Sequence, residues 1–257
     1  MATMNQLQFT RMLKLIAGSA TMILAGFTLL EAQLTPIEVI NGRPLAKVLR
    51  ELENRHGWRV TYEDPAYEYV RDLEDVTVTA RRGNVPPGAP RLLVPRDRLF
   101  RFEYNTNSNR PQEVLPSLVK TYNSASASDA FRVIQQGTLY HVVPTKSLDA
   151  KGESRDRRSR LDVGVTVDDR ARNAYEMLEA VLKQVSAAAG EPIGLGLVPM
   201  NLLMSTRVSD GAQKEIARDV IVRTLEATKS NISWQLFCDP GALRLCALNL
   251  HLVPVHK

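Results

Sequence analysis

The sequence is short of the groups that catalysis usually draws on. Among its 257 residues are two cysteines, two tryptophans and four histidines. There is no GxxxxGKS/T loop to cradle a phosphate, and neither a GxSxG elbow nor an HExxH helix. Gly194-Leu195-Gly196 is a lone GxG inside an apolar stretch and reads as structural. His56, His141, His251 and His256 are scattered. His141 and His251 would meet only if the two closing strands were neighbours, and no cysteine or carboxylate cluster completes a metal site around them. Glu63 and Asp64 are adjacent carboxylates, but acid/base work needs opposed environments for the two. The expectation is a protein with no catalytic residue, no metal and no cofactor.

Aromatic residues make up 6% of the chain. Arg98, Phe100, Arg101, Phe102 and Tyr104 interleave base and ring as a nucleic-acid face does, yet they stand alone, and the export signal described below argues against such a partner. Net charge is +5 and the pI about 9.3. That balance is mild and serves solubility. After residue 30 no apolar run approaches the roughly 20 residues that a membrane-spanning helix needs.

Enough is present for an ordinary core, with 44% hydrophobic residues. At the N-terminus Arg11 and Lys14 precede the apolar run Leu15 to Leu30, and Ala32 can close a cleavage region. Residues 1–32 therefore resemble a secretory signal peptide, with an uncleaved inner-membrane anchor through residues 13–30 as the alternative. No cysteine follows the run, which argues against a lipid anchor. The expected location is the periplasm or outside the cell. In such an oxidising compartment Cys238 and Cys246, flanking the turn signal Asp239-Pro240-Gly241, are candidates for a cross-strand disulfide. The alternative is two free thiols buried among Leu236, Leu245 and Leu248.

The best-formed stretch is Asn41 to Asp64, NGRPLAKVLRELENRHGWRVTYED. Leu45, Val48, Leu49 and Leu52 share one helical face. Pro44 suits the first turn and Gly57 a left-handed C-terminal cap. Trp58, Val60 and Tyr62 then alternate with Arg59, Thr61 and Glu63 as a half-buried strand does. Ile37–Ile40 precedes it as a strand. Further strands are expected at Leu73–Ala80 and Leu99–Tyr104, separated by a Pro-rich insertion, residues 81–98, in which Leu92-Leu93-Val94 pairs at an edge. A helix follows over Pro111–Tyr122, with Pro116 marking a late start or a kink. The hairpin Phe131–Pro144 turns at Gln136-Gly137.

Residues 149–160, including the charge-dense KGESRDRRSR, read as a solvated linker, with a basic patch for an anionic surface as the alternative. Beyond it the order returns. A strand is expected at Leu161–Val167, then a helix capped by Asp168 or Asp169 and stopped by Gly190, its face built from Ala171, Ala174, Tyr175, Leu178, Val181, Leu182 and Val185. Strands follow at Ile193–Val198 and Leu203–Val208. A second helix, capped by Ser209 or Asp210, carries Ile216, Ala217, Val220, Ile221, Thr224 and Leu225. The closing hairpin is Ile232–Cys238 with Leu243–Val253. The halves end alike, in His141-Val142-Val143-Pro144 and His251-Leu252-Val253-Pro254. The reading is an α+β chain of two similar small lobes, residues 33–148 and 161–257. Each lobe has the order strand, helix, strand, strand, helix, hairpin.

The first half resembles the STN domain, the short domain at the N-terminus of secretins and TonB-dependent receptors. Leu45, Leu49, Leu52, Gly57, Val60, Tyr62, Asp64 and Pro65 match its helix, glycine and alternating strand. The resemblance spans about Ile37 to Pro144, with the Pro-rich insertion and Pro116 as departures, and the second half looks like a more distant copy. What it implies is a non-enzymatic interaction module of the cell envelope, accessory to a secretin, TonB-type or sigma-regulator system. The alternative is a protein that binds a small ligand or cell-wall fragment between its lobes.

Overall fold

The structure, a computed structural model, describes residues 34–105, 110–240 and 244–256. The signal-like run, the alternative anchor and Gly241 lie outside the described residues. Leu34–Lys257 form one compact unit. Its first half runs β1 (Leu34–Asn41), α1 (Pro44–His56), β2 (Arg59–Glu63), β3 (Leu73–Asp75), α2 (Thr77–Ala80), β4 (Leu93–Pro95), β5 (Arg98–Asn105), α3 (Pro111–Ala125), β6 (Asp129–Gln136) and β7 (Leu139–Leu148). The second runs β8 (Ser154–Asp156), β9 (Gly164–Val167), β10 (Arg172–Asn173), α4 (Ala174–Ala189), β11 (Ile193–Leu195), α5 (Met200–Ser205), β12 (Arg207–Val208), β13 (Ala212–Ile216), α6 (Ala217–Glu226), β14 (Ile232–Cys238) and β15 (Cys246–Leu252). The class is α+β.

The two halves are not separate lobes, as the sequence had suggested. One sheet runs through both, in the order β11-β15-β14-β2-β7-β6, with β8 pairing the end of β7. The halves meet where β14 lies parallel to β2, Gln235 opposite Tyr62 and Leu236 opposite Glu63. Within each half the pairing follows one scheme. β1, ahead of α1, pairs antiparallel with β5, ahead of α3, and in the second half β9 pairs antiparallel with β13, with the two-residue β10 set between β9 and α4. The strand after the first helix pairs parallel with the last strand of the hairpin, β2 with β7 and β11 with β15.

Two apolar clusters flank the sheet. Leu45, Val48, Leu49 and Leu52 of α1 pack with Phe100 and Phe102 of β5 and with Leu115 and Leu118 of α3. Leu178, Val181, Leu182 and Val185 of α4 pack with Val220 and Ile221 of α6 and with Trp234 and Leu236 of β14. Each such buried leucine contributes roughly 1.5–3 kcal/mol relative to exposure. Both first helices end on a left-handed glycine, Gly57 at φ 69° and Gly190 at φ 68°.

Several segments depart from the expected periodicity. Leu73–Ala80 is not one strand. The Asp75 side chain accepts from the Thr77 N–H (2.9 Å) and hydroxyl, which turns the chain into α2. Pro116 neither delays nor ends α3, because it lies on the exposed face, where the carbonyl it leaves unpaired meets water. Helix α4 is capped by Asn173 in a full capping box with Glu176, not by Asp168 or Asp169. Asp168 instead binds Arg172 at 2.8 Å. Residues 203–205 close the helix α5, only Arg207–Val208 are strand, and residues 212–216 are the strand β13 rather than the start of a helix. Partners distant in sequence, β10 and β9, decide the strands there.

Candidate functional site

The polar residues gather where β2 ends beside β14. Glu63 is the last residue of β2 and Asp64 follows it, and both are wholly buried. Arg218 of α6 reaches across from the second half to Glu63 at 3.1 Å. The same guanidinium binds Asp162 and the Ser159 hydroxyl, and Ser159 donates to the other oxygen of Glu63. Asp64 is held from three sides. Arg43 Nε donates at 2.7 Å, the Cys238 N–H at 2.8 Å and the Tyr67 hydroxyl at 3.1 Å. Arg43 also donates to the Cys238 carbonyl at 2.9 Å, with its guanidinium over the Phe237 ring. Burial pushes both carboxyls above the usual carboxylate range, and Arg218 and Arg43 pull back against it. Both carboxyls are thus shifted in the same direction by the same cause, each beside one arginine.

A third buried carboxylate completes the seam. Glu53 of α1 accepts from the Val60 N–H at 3.1 Å and lies 2.8 Å from His251 Nε2 of β15. Burial raises its pKa to about 7. Ser233 of β14 donates to the Val60 carbonyl at 2.8 Å, and Arg59 donates to the Ile232 carbonyl at 3.2 Å. These side chains bind the halves together.

The candidates from the sequence fall as follows. Cys238 and Cys246 are disulfide-bonded across the end of the β14–β15 hairpin, directly opposite one another. His141 lies on β7 and His251 on β15, with β2 and β14 between them, so they form no metal pair. His141 is sealed between the Thr61 hydroxyl (2.8 Å) and Gln136 Oε1 (3.1 Å). Burial pushes its pKa down to about 3, which keeps the ring neutral with one acceptor and one donor nitrogen. Glu191 approaches the two cysteine sulfurs closely enough to suggest a metal triad, but those sulfurs are bonded to each other. Phe100, Phe102 and Tyr104 are buried in the core, so they offer no stacking face to a nucleic acid.

The KGESRDRRSR segment is solvated over Lys151, Glu153–Asp156 and Arg158, but it is pinned to the fold at several points. β8 pairs with β7, and Ser159 is buried in the seam. Arg157 pairs with Glu68 at 2.9 Å, while Arg160 pairs with Glu191 and donates to the Asp64 carbonyl. Arg157, Arg158, Arg160, Arg244, Glu68 and Glu191 line a groove of about 430 Å³ between the halves. Arg158 is exposed there and pairs with no carboxylate among the described residues. A broader trough of about 560 Å³ follows β11 and the last turns of α4, lined by Lys183, Ser186, Ala187, Gly190, Pro192 and Ile193.

Sequence reasoning missed Arg43, Glu53, Ser159 and Arg218. A usable signal existed for Glu53, which is a charged residue next to Leu52 on the buried face. Among the described residues no helix is long and apolar enough to cross a membrane. The chain matches no family model, no curated protein and no solved structure.

Proposed function

We propose that this chain is an exported, non-enzymatic interaction module of the cell envelope, which binds a protein partner along an open edge of its sheet. One observation carries the reading: the central sheet ends in two strands, β6 and β11, that lack an outer neighbour among the described residues. An unpaired strand edge is a ready template for another strand. The buried charged groups, by contrast, are committed to holding the halves together. The N-terminal signal-like run and the disulfide both suit an oxidising compartment. The STN resemblance of Ile37 to Pro144 suggests a role accessory to a secretin, TonB-type or sigma-regulator system.

The test is affinity capture from envelope extract with the full chain as bait, alongside a variant in which Leu195→Pro blocks the β11 edge. A specific protein partner retained by the first and lost by the second is expected. Recovery of no specific partner sinks the reading. A second reading has its own observation, the arginine-lined groove with the exposed Arg158. In it the groove takes an anionic cell-wall fragment. A rise in melting temperature with such fragments, abolished by Arg158→Glu, is its expected result.

A further inference from the structure

The outer side of β2 shows what belongs on the outer side of β11. Counted from their glycine caps, the two helix-and-strand segments correspond residue for residue. Leu45, Val48, Leu49 and Leu52 match Leu178, Val181, Leu182 and Val185, all of them buried. The Glu53 and Ser186 carbonyls accept from the cap N–H groups of Gly57 and Gly190. Each then bonds by its side chain to the next strand, Glu53 to the Val60 N–H and Ser186 to the Ile193 N–H. Tyr62 matches Leu195, since each lies opposite a residue of the last hairpin strand, Val142 and Leu248 respectively. Along β2 this surface is filled by β14 of the second half. Along β11 no strand of the described residues covers the corresponding surface, and its first part, Pro192 to Gly194, lines the trough.

The hairpins correspond as well. Val133 of β6 pairs with Val142, and Leu236 of β14 pairs with Leu248. β6 is thus the counterpart of β14, and its outer edge is unpaired. We infer that the β11 trough receives β6 of a second copy of this chain, in parallel register, repeating the β14–β2 junction between molecules. This inference rests on reading the chain as a protein-interaction module that works through its sheet edges.

The correspondence fixes the contacts. Gln235 lies opposite Tyr62 and donates to the Ala46 carbonyl on α1. Its counterpart on β6 is Arg132, which then lies opposite Leu195 of the next copy. The counterpart of Ala46 on α4 is Glu179. Both Arg132 and Glu179 are exposed, so the internal amide contact becomes an ion pair between molecules. Leu197, 81% exposed, stands where Asp64 binds Arg43 in the internal junction, and Gly196 stands for Glu63. The junction between molecules therefore lacks the two buried ionic locks and is the weaker of the two. The contact joins unlike surfaces and does not close on itself, so it produces chains or rings rather than symmetric dimers.

The test is sedimentation of the full chain over a range of concentrations. A concentration-dependent series of dimer, trimer and larger species is expected. Arg132→Glu and Glu179→Arg each place like charges together and should weaken association about fivefold. The double variant, or an equimolar mixture of the two single variants, should restore it, a recovery that misfolding does not produce. Arg132→Cys mixed with Leu195→Cys should give an intermolecular disulfide that neither variant forms alone. A chain that stays monomeric to about 1 mM, or a closed dimer indifferent to both charge reversals, overturns the inference. A monomer that captures an unlike envelope protein on the β11 edge overturns it too, while leaving the interaction-module reading intact.

Discussion

Glu53 sets a pH dependence whose sign runs against the usual behaviour of buried ion pairs. Its carboxyl is wholly buried under α1, and burial lifts its pKa from 4.5 to about 7. The unfolded chain releases this proton near pH 4.5, whereas the folded chain keeps it until about pH 7. Through that window the folded state binds more protons, so stability falls as pH rises. The shift corresponds to about 3 kcal/mol, all of it lost by pH 8. Glu53→Gln keeps an acceptor for the Val60 N–H and cannot ionise. The assay is urea denaturation of both proteins from pH 4.5 to 8, read as the difference between them, which cancels every other titration. Glu53→Gln should gain about 3 kcal/mol on the wild type across the series. The competing possibility is an ionised Glu53 paired with a protonated His251, 2.8 Å away. That pair would make the wild type gain on the variant as the carboxylate forms. A flat difference, or one of that opposite sign, refutes the reasoning.

Other perturbations test the seam and its surroundings. Arg218→Met leaves Glu63 buried with Ser159 as its remaining side-chain partner, and should cost about 3–5 kcal/mol in chemical denaturation. Adding Glu63→Leu should recover most of that loss, and a double variant no more stable than the single one would count against the pairing. Reducing the Cys238–Cys246 bond, which closes a loop with a sequence separation of 8, should cost about 2.5 kcal/mol by chain entropy, seen as a lower denaturation midpoint. Gly57 and Gly190 share one left-handed conformation but not one environment. A methyl group on Gly190 meets nothing within 4 Å, while one on Gly57 comes within 2.7 Å of the Pro254 carbonyl. Gly190→Ala should therefore cost about 1 kcal/mol, and Gly57→Ala measurably more by thermal melting.

What the sequence revealed follows from which interactions are periodic. The faces of α1 and α4 were legible because Leu45 to Leu52 and Leu178 to Val185 repeat at helical spacing, with a glycine after each. The hairpin strands β6, β7, β14 and β15 were legible because each partner follows within a short turn. The segments Asp168–Asn173 and Leu203–Ile216 were misread because their strands are only two to five residues long and find distant partners. Asn173 pairs with Arg207, and Ala212 with Val167. Nothing local separates Asp168, Asp169 and Asn173 as caps. The Glu176 three residues after Asn173 was the available clue. The seam was illegible for a different reason: it is made of single polar residues from five separate segments, and no periodicity links Arg43, Glu63, Ser159, Arg218 and His251.

The same seam explains why a two-residue parallel ladder suffices to join the halves. A strand pair that short specifies its register weakly, and a one-residue slip would turn every side chain to the wrong face. At the β14–β2 junction the backbone contributes Gln235 opposite Tyr62 and Leu236 opposite Glu63, and the Asp64 N–H donates to the Leu236 carbonyl. Register is fixed instead by groups that fit in one alignment alone. Asp64 must meet the Cys238 N–H and Arg43 together, and Glu63 must meet Arg218 and Ser159. Slipping by one residue would strand two wholly buried carboxylates, each at a cost of several kcal/mol. Buried charge serves here as a device for register more than for stability. Gly196 and Leu197 carry no such charges, so the proposed junction at the β11 edge is the weaker, reversible one, while the β2 edge has its register locked by Glu63 and Asp64.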